Sequence, residues 1–247
     1  MPKVELLYFM PNALDVLVYT KDTRLHGTRS LDDVSRMSTE EKLEQLEYMF
    51  NTIQTPFEFV DYIFRISEIS RATTHQMVRT RTASFQQESM RAADVRDHSW
   101  SGPNDSFYDN TIASSINKYA ELIDYGMPIQ DARGVLPTAI HTSILMKANL
   151  RTLSQMASHR LCVRTQGEYQ MAFREMRHLI LEVHPWAEPM LRPHCGQTGT
   201  CAFPNYKKCP IQPYTMHLAD KQVDRINEKW QHTFHEANPV AKNGRTM

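Results

Sequence analysis

Residues 70–91 read S-R-A-T-T-H-Q-M-V-R-T-R-T-A-S-F-Q-Q-E-S-M-R. Within this stretch Gln76, Arg79, Arg81, Ser84, Gln86, Gln87, Ser89 and Arg91 fall inside sixteen positions. Guanidinium groups fork onto phosphate oxygens, and side-chain amides match the donor and acceptor edges of a heterocycle. So dense a mixture suits a ligand that carries both. A solvated Ser/Gln-rich loop is the plainer reading of the same residues. That reading lacks its usual counter-charges, because Glu88 is the only acid from Ile69 to Met90.

The sequence around this stretch divides by periodicity. Upstream, 4–9 and 14–20 read as short strands separated by a Pro-Asn turn, and the aromatic and β-branched run 59–66 reads as another. Between them Ser38 and Glu41 form a capping box for a helix to Ile53, with Leu43, Leu46, Met49 and Phe50 on one side. Downstream the periods lengthen. A helix is predicted from Ser106 to Tyr125, with Ile112, Ile116, Tyr119, Leu122 and Ile123 facing inward and Gly126-Met127-Pro128 as its stop. Further helices are predicted over 142–159 and 165–183. Residues 185–214 hold six Pro and three Cys and read as irregular, and 217–237 reads as a terminal helix. Strands early and helices late give an α+β class with one main unit, 1–184, and an appendage, 185–247.

Composition narrows the function. The chain has 247 residues with 28 basic and 28 acidic side chains, a balance that disfavours a general nucleic-acid binder. With 8 Gly and no glycine-rich phosphate loop, side chains must recognise any phosphate. The charge is unevenly spread. From Arg65 to Arg164 there are 10 Arg and 2 Lys against 9 acids, a net +3 balanced by −3 in the flanks. No signal peptide is visible at the start and no run approaches a membrane span, so a cytoplasmic protein is expected.

The 70–91 stretch resembles the signature of the flavin-dependent thymidylate synthases (ThyX): Arg-His-Arg, seven residues, then Ser. Here it stands as Arg79-Thr80-Arg81, seven residues, Ser89, with Gln76 before and Arg91 after. Thr55-Pro56-Phe57-Glu58 resembles the family's upstream flavin segment. Asp131-Ala132-Arg133-Gly134-Val135-Leu136-Pro137 resembles its Ala-Arg-x-Val-Leu-Pro stretch, and Asn149-Leu150-Arg151-Thr152-Leu153 its Asn-x-Arg-Ser-Leu segment. Arg160 falls at the distance of the substrate-activating Arg. The likeness runs over roughly 55–182.

The resemblance implies a mixed β-sheet with long helices and active sites at homotetramer interfaces. It implies reduction of FAD by NADPH and transfer of a one-carbon unit from methylenetetrahydrofolate to C5 of dUMP, giving dTMP. By position it implies Gln76, Arg79, Gln87, Ser89, Arg91 and Arg133 around the nucleotide, with Arg160 as the catalytic group. Thr55, Glu58, Arg79, Arg81, Asn149, Arg151 and Gln155 are implied around FAD. An Arg at the pyrimidine edge stabilises the negative charge that makes C5 nucleophilic. Ser89 has no local base beside it and reads as a positioning hydroxyl.

The match has departures: Thr80 stands for the central His, Gln87 for a Glu, Met90 for a Gly, Gln155 for an Asn and Arg164 for a His. A pyrimidine-nucleotide hydroxymethylase acting on dUMP or dCMP, or a non-catalytic nucleotide-binding homologue, is therefore the alternative. Separately, His194, Cys195, Cys201 and Cys209 supply the donor types of a structural zinc site, though at spacings of x5 and x7 instead of C-x2-C.

Overall fold

The computed structural model describes residues 1–25, 27–203, 205 and 209. Its centre is a four-stranded antiparallel sheet in the order β1 (Lys3–Phe9), β2 (Asp61–Ser70), β4 (His141–Asn149), β3 (Ser84–Gln87). Along β2 the side chains of Tyr62, Phe64 and Ile66 are buried, and along β4 those of Thr142, Ile144, Met146 and Ala148. The pairs Phe64↔Met146 and Ile66↔Ile144 set these rows side by side. One sheet face is therefore core and the other carries the intervening residues, as alternation in a strand requires. Lys147 pairs there with Asp61 at 2.8 Å and Arg65 with Glu5 at 3.3 Å.

The helices follow as α1 (Ala13–Arg24), α2 (Leu31–Ser35), α3 (Thr39–Asn51), α4 (Arg71–Met77), α5 (Ser106–Asp124), α6 (Ile129–Ala132), α7 (Leu150–Arg160), α8 (Gly167–Val183) and α9 (His194–Thr198). The principal core lies between the inner sheet face and α7 and α8, which contribute Leu150, Leu153, Met156, Tyr169, Phe173, Met176 and Ile180. A second cluster joins Ile112, Ile116 and Tyr119 of α5 to Met90, Val95, Ala132 and Ile140. After α8 the chain turns through a 3-10 segment, Pro185–Met190, whose Ala187 and Met190 are buried in the principal core together with Leu191. No helix among the described residues is long and apolar enough to cross a membrane.

Two predicted elements change type. Residues 14–20 are helical, inside α1. The buried set Ala13, Leu17, Val18 and Asp22 has the spacing of a helix face, and packing against α3 outweighs the strand preference of Val16, Val18 and Thr20. The predicted helix over 142–159 is β4 followed by α7. Leu145, Met146, Lys147 and Ala148 are good helix formers, yet they alternate exposed and buried between β2 and β3. Asn149 marks the change, its side chain accepting from Thr152 N at 2.9 Å. The capping box at Ser38 and Glu41 forms, although Leu43 points to solvent. The predicted helix 217–237 lies outside the described residues.

The far end of α8 is tied to β2 by one buried polar contact. The Tyr62 hydroxyl and His184 Nδ1 are 2.7 Å apart, with Phe9 set edge-on and Trp186 beside the imidazole. Burial holds the His184 pKa below its ordinary value of 6.5, against an opposing contribution from the Met10 backbone. The unfolded chain therefore takes up the proton first, so this contribution is complete above about pH 6.5 and is lost as the pH falls towards the folded value. Thermal unfolding from pH 7.5 to 5.5 should show a falling Tm in the native chain. The His184→Gln variant should start lower, by about 1–3 kcal/mol, and fall less steeply.

Candidate active site

The 70–91 stretch folds as α4, a turn and the edge strand β3, and the plainer loop reading holds for Arg79, Arg81, Ser89 and Arg91, which lie outside those elements. Its start is held by Glu168 of α8, which accepts from Ser70 N at 3.0 Å and from the hydroxyls of Ser70, Thr73 and Ser101. Ser101 is also 2.9 Å from His141 Nε2, and Ser99 is 2.7 Å from His141 Nδ1. Burial works to raise the Glu168 pKa, but the hydroxyl and N–H donors together outweigh it and hold the carboxyl below its usual range. Burial in turn lowers the His141 pKa.

This anchoring distributes the candidate residues into groups. Gln76 donates to Gln166 at the head of α8, and Gln87 donates to the buried Thr74 hydroxyl at 2.7 Å. Arg71 donates from Nη1 to Glu88 O at 3.2 Å, and the charges of Arg133 and of the Glu88 carboxylate act on it in opposite senses. Burial first and Arg133 second hold the Arg71 pKa below the usual arginine value. Two cations brought together at a half-buried position make a natural seat for an anion. Glu58 and Arg151 form an ion pair across the turn Thr55–Phe59 and α7, and Thr55 is exposed on the same turn. Ser89, Arg79, Arg81 and Arg91 are exposed, and among the described residues the three arginines form no ion pair.

A cavity of about 430 Å³ lies at the C-terminal half of α7. Gln155 and Arg160 line it, and so do Thr80, His159, His194 and Gln197. Among the described residues no carboxylate lines it. α9 forms one wall, clamped because Gln197 Nε2 donates to Ser154 O, Met190 O and Arg192 O at 3.2, 3.0 and 2.8 Å. At the cavity edge the Arg160 guanidinium lies 4.3 Å from the centre of the Tyr169 ring.

The zinc expectation is corrected. Among the described residues no group of three or more His, Cys, Asp or Glu is placed to hold a metal ion, and no disulfide joins the cysteines. Cys195 packs against the principal core, where burial first and the thiols of Cys209, Cys162 and Cys201 next push its pKa up to about 12. His194 lines the cavity with Arg160.

Residue types and spacing drew attention to the arginines of the motif but gave Arg71 no role. Its signal was present: as the first residue of α4 it sets a cation at the positive end of a helix dipole, an unfavourable choice unless an anion joins it. Tyr169 and Gln166 had no local signal, because only the docking of α8 brings them to α4 and α7.

With this geometry in view, the family described as "Thymidylate synthase complementing protein" matches residues 5–186. The chain belongs to that family. Similar relatives are the flavin-dependent thymidylate synthases of Saccharolobus solfataricus, 34% identical over 54% of this chain and 55% of its own length, and of Geobacter sulfurreducens, 32% identical over 60% and 68%. The Clostridium tetani enzyme is 28% identical over 81% of this chain and 90% of its own. The match thus spans about half the length of the first of these and nearly all of the last. Among solved structures, Helicobacter pylori ThyX complexed with FAD and dUMP aligns with a TM-score of 0.66 at 16% identity, over 75% of this chain and 97% of that one. The UMP/dUMP methylase PolB of Streptomyces cacaoi, bound with 5-Br dUMP, aligns at 0.63 and 19%, over 77% and 94%. These likenesses establish the ThyX fold.

The Glu168 anchor makes a direct prediction. Glu168→Gln should lower stability at pH 7 by about 1.5–3 kcal/mol, the scale of hydrogen bonds to a charged group. Because the folded pKa is depressed, the native advantage is complete above the ordinary value of 4.5 and is lost as pH falls through the folded value. Denaturant midpoints of the two proteins should therefore converge in acid. A gap that persisted at pH 3 would contradict this role for the carboxylate.

Proposed function

We propose that this chain is a flavin-dependent thymidylate synthase, transferring a one-carbon unit from methylenetetrahydrofolate to C5 of dUMP to give dTMP, with NADPH as reductant. The observation that carries this reading is the acid-free cavity beneath Arg160. A guanidinium stacked on a ring and facing amides and hydroxyls is suited to an electron-rich heterocycle that gains negative charge. Family membership and the named relatives support the same choice over the alternatives.

The residues fit FAD. Gln155, Thr80 and Arg160 supply donors around the cavity, while Arg151 with Glu58, Asn149 and Thr55 stand at the opposite end of α7. Arg79 and Arg81 supply charge for a pyrophosphate. When bound, the flavin carries reducing equivalents from NADPH. On the nucleotide side, Arg133 with Ser89, Arg91 and the added Arg71 would hold the phosphate, and Gln76 and Gln87 would orient the base. Arg160 would hold the uracil ring as its charge grows. No side chain here is needed as a nucleophile.

The groups of site residues sit apart on one chain, and several arginines stand exposed. We infer that further copies complete each site in a homotetramer. Leu7, Tyr8 and Leu145 add exposed apolar surface to the sheet region. Cysteines without disulfides fit a reducing, cytoplasmic setting.

Purified protein reconstituted with FAD should be yellow and should oxidise NADPH only when dUMP and methylenetetrahydrofolate are both present. Mass spectrometry of the nucleotide should show dTMP. A hydroxymethyl product, or a product from dCMP alone, would replace this reading with the hydroxymethylase, and flavin binding without turnover would leave a binding homologue. Arg160→Ala should lower the carbon-transfer rate by about 10²–10³-fold with FAD still bound.

A further inference from the structure

We propose that Tyr169 is a positioning residue for this reaction, the ring that fixes the plane of the Arg160 guanidinium at the cavity. The proposal rests on the reading of Arg160 given above. Arg160 is the last residue of α7, and Tyr169 lies on the first turn of α8, fully buried. The guanidinium carbon stands 4.3 Å from the ring centre, well within cation–π range.

The choice of partner has a chemical consequence. Arg177 and Arg192 show the alternative, both engaging Glu188, at 3.0 Å in the first case. Among the described residues Arg160 has no carboxylate partner. A carboxylate would neutralise the guanidinium and compete with an anionic ring for its donors. An aromatic face orients the cation through its quadrupole and leaves every N–H available. The Tyr169 hydroxyl is buried and sits beside Thr80 and Arg160. Burial raises its pKa, so it adds no competing anion at neutral pH. The ring face is thus the part of Tyr169 that the site uses.

The test compares Tyr169→Phe with Tyr169→Leu in full-length, FAD-reconstituted protein. Phe keeps the face and removes the hydroxyl, so kcat should stay within about twofold and Tm should hold or rise. Leu keeps an apolar side chain and removes the face, so kcat should fall about tenfold with FAD affinity and KM for dUMP little changed. Should the Leu variant not fold, Tyr169→Met takes its place with the same expectation. A double-mutant comparison adds a readout that a structural role would not move. In an Arg160→Lys background, where the planar group is absent, the Leu change should cause no further loss of kcat. Wild-type kcat in the Leu and Met variants, an equal loss in Phe and Leu, or losses that simply multiply in the Lys background would each overturn the Tyr169 role alone. A wild-type protein that bound FAD but turned over no nucleotide would overturn the functional reading and this inference with it.

Discussion

One carboxylate organises the candidate site. Glu168 gathers the backbone N–H and hydroxyl of Ser70, the hydroxyl of Thr73 and that of Ser101, groups separated from it by 67 to 98 residues in sequence. These donors include the start of α4, where an acid also complements the helix dipole. With α4 fixed to α8, the residues that follow it acquire set places. Gln76 reaches the head of α8, the turn after α4 delivers Thr80 to the cavity, and β3 returns along β4. The neutral His141 between Ser99 and Ser101 completes the network without adding charge. The anchor commits one half-buried acid to hydrogen bonds with hydroxyls and a backbone N–H.

That commitment of acids explains why a chain of zero net charge can present cationic sites. Acids in the fold are committed to local structural pairs: Asp61 to Lys147, Glu58 to Arg151, Glu188 to Arg177 and Arg192. Arg160 instead rests on an aromatic ring. Low-dielectric, acid-poor positions make each remaining cation more effective toward a bound anion than its formal charge in water would suggest. Discrete phosphates need a few such arginines, which is consistent with the scarcity of glycine-rich loops.

The architecture was legible wherever a single period persisted. The capping box of α3, the inner face of α5 and the extent of α8 all follow from local spacing, because each buries one continuous stripe. The failures at 14–20 and 142–149 share a cause. Both segments mix residue types whose intrinsic preference opposes the packing they meet: β-branched residues on α1 and good helix formers on β4. Only the neighbours decide such cases. At the site, the motif arginines and glutamines stood out by density, and Arg160 by its place in the family pattern. Tyr169, Gln166 and Gln197 did not, since their importance comes from the docking of α8 and α9 onto α4 and α7.

The departures from the family pattern are partly absorbed by packing. Met90, where the family has a glycine, is buried in the second cluster with Val95, Ile116 and Tyr119, so its side chain enlarges a core and keeps clear of Ser89 at the surface. Arg164, in place of a histidine, lays its guanidinium 4.3 Å from the centre of the Phe203 ring in the segment beyond α9. α9, just before that segment, lines the cavity through Gln197 and His194. Thr80 fits the same account. A small hydroxyl at the cavity edge leaves room beside Arg160 and Tyr169 that a larger ring would occupy. Of the changed positions, Thr80 and Gln155 thus line the same cavity as the arginine on which the proposed chemistry depends.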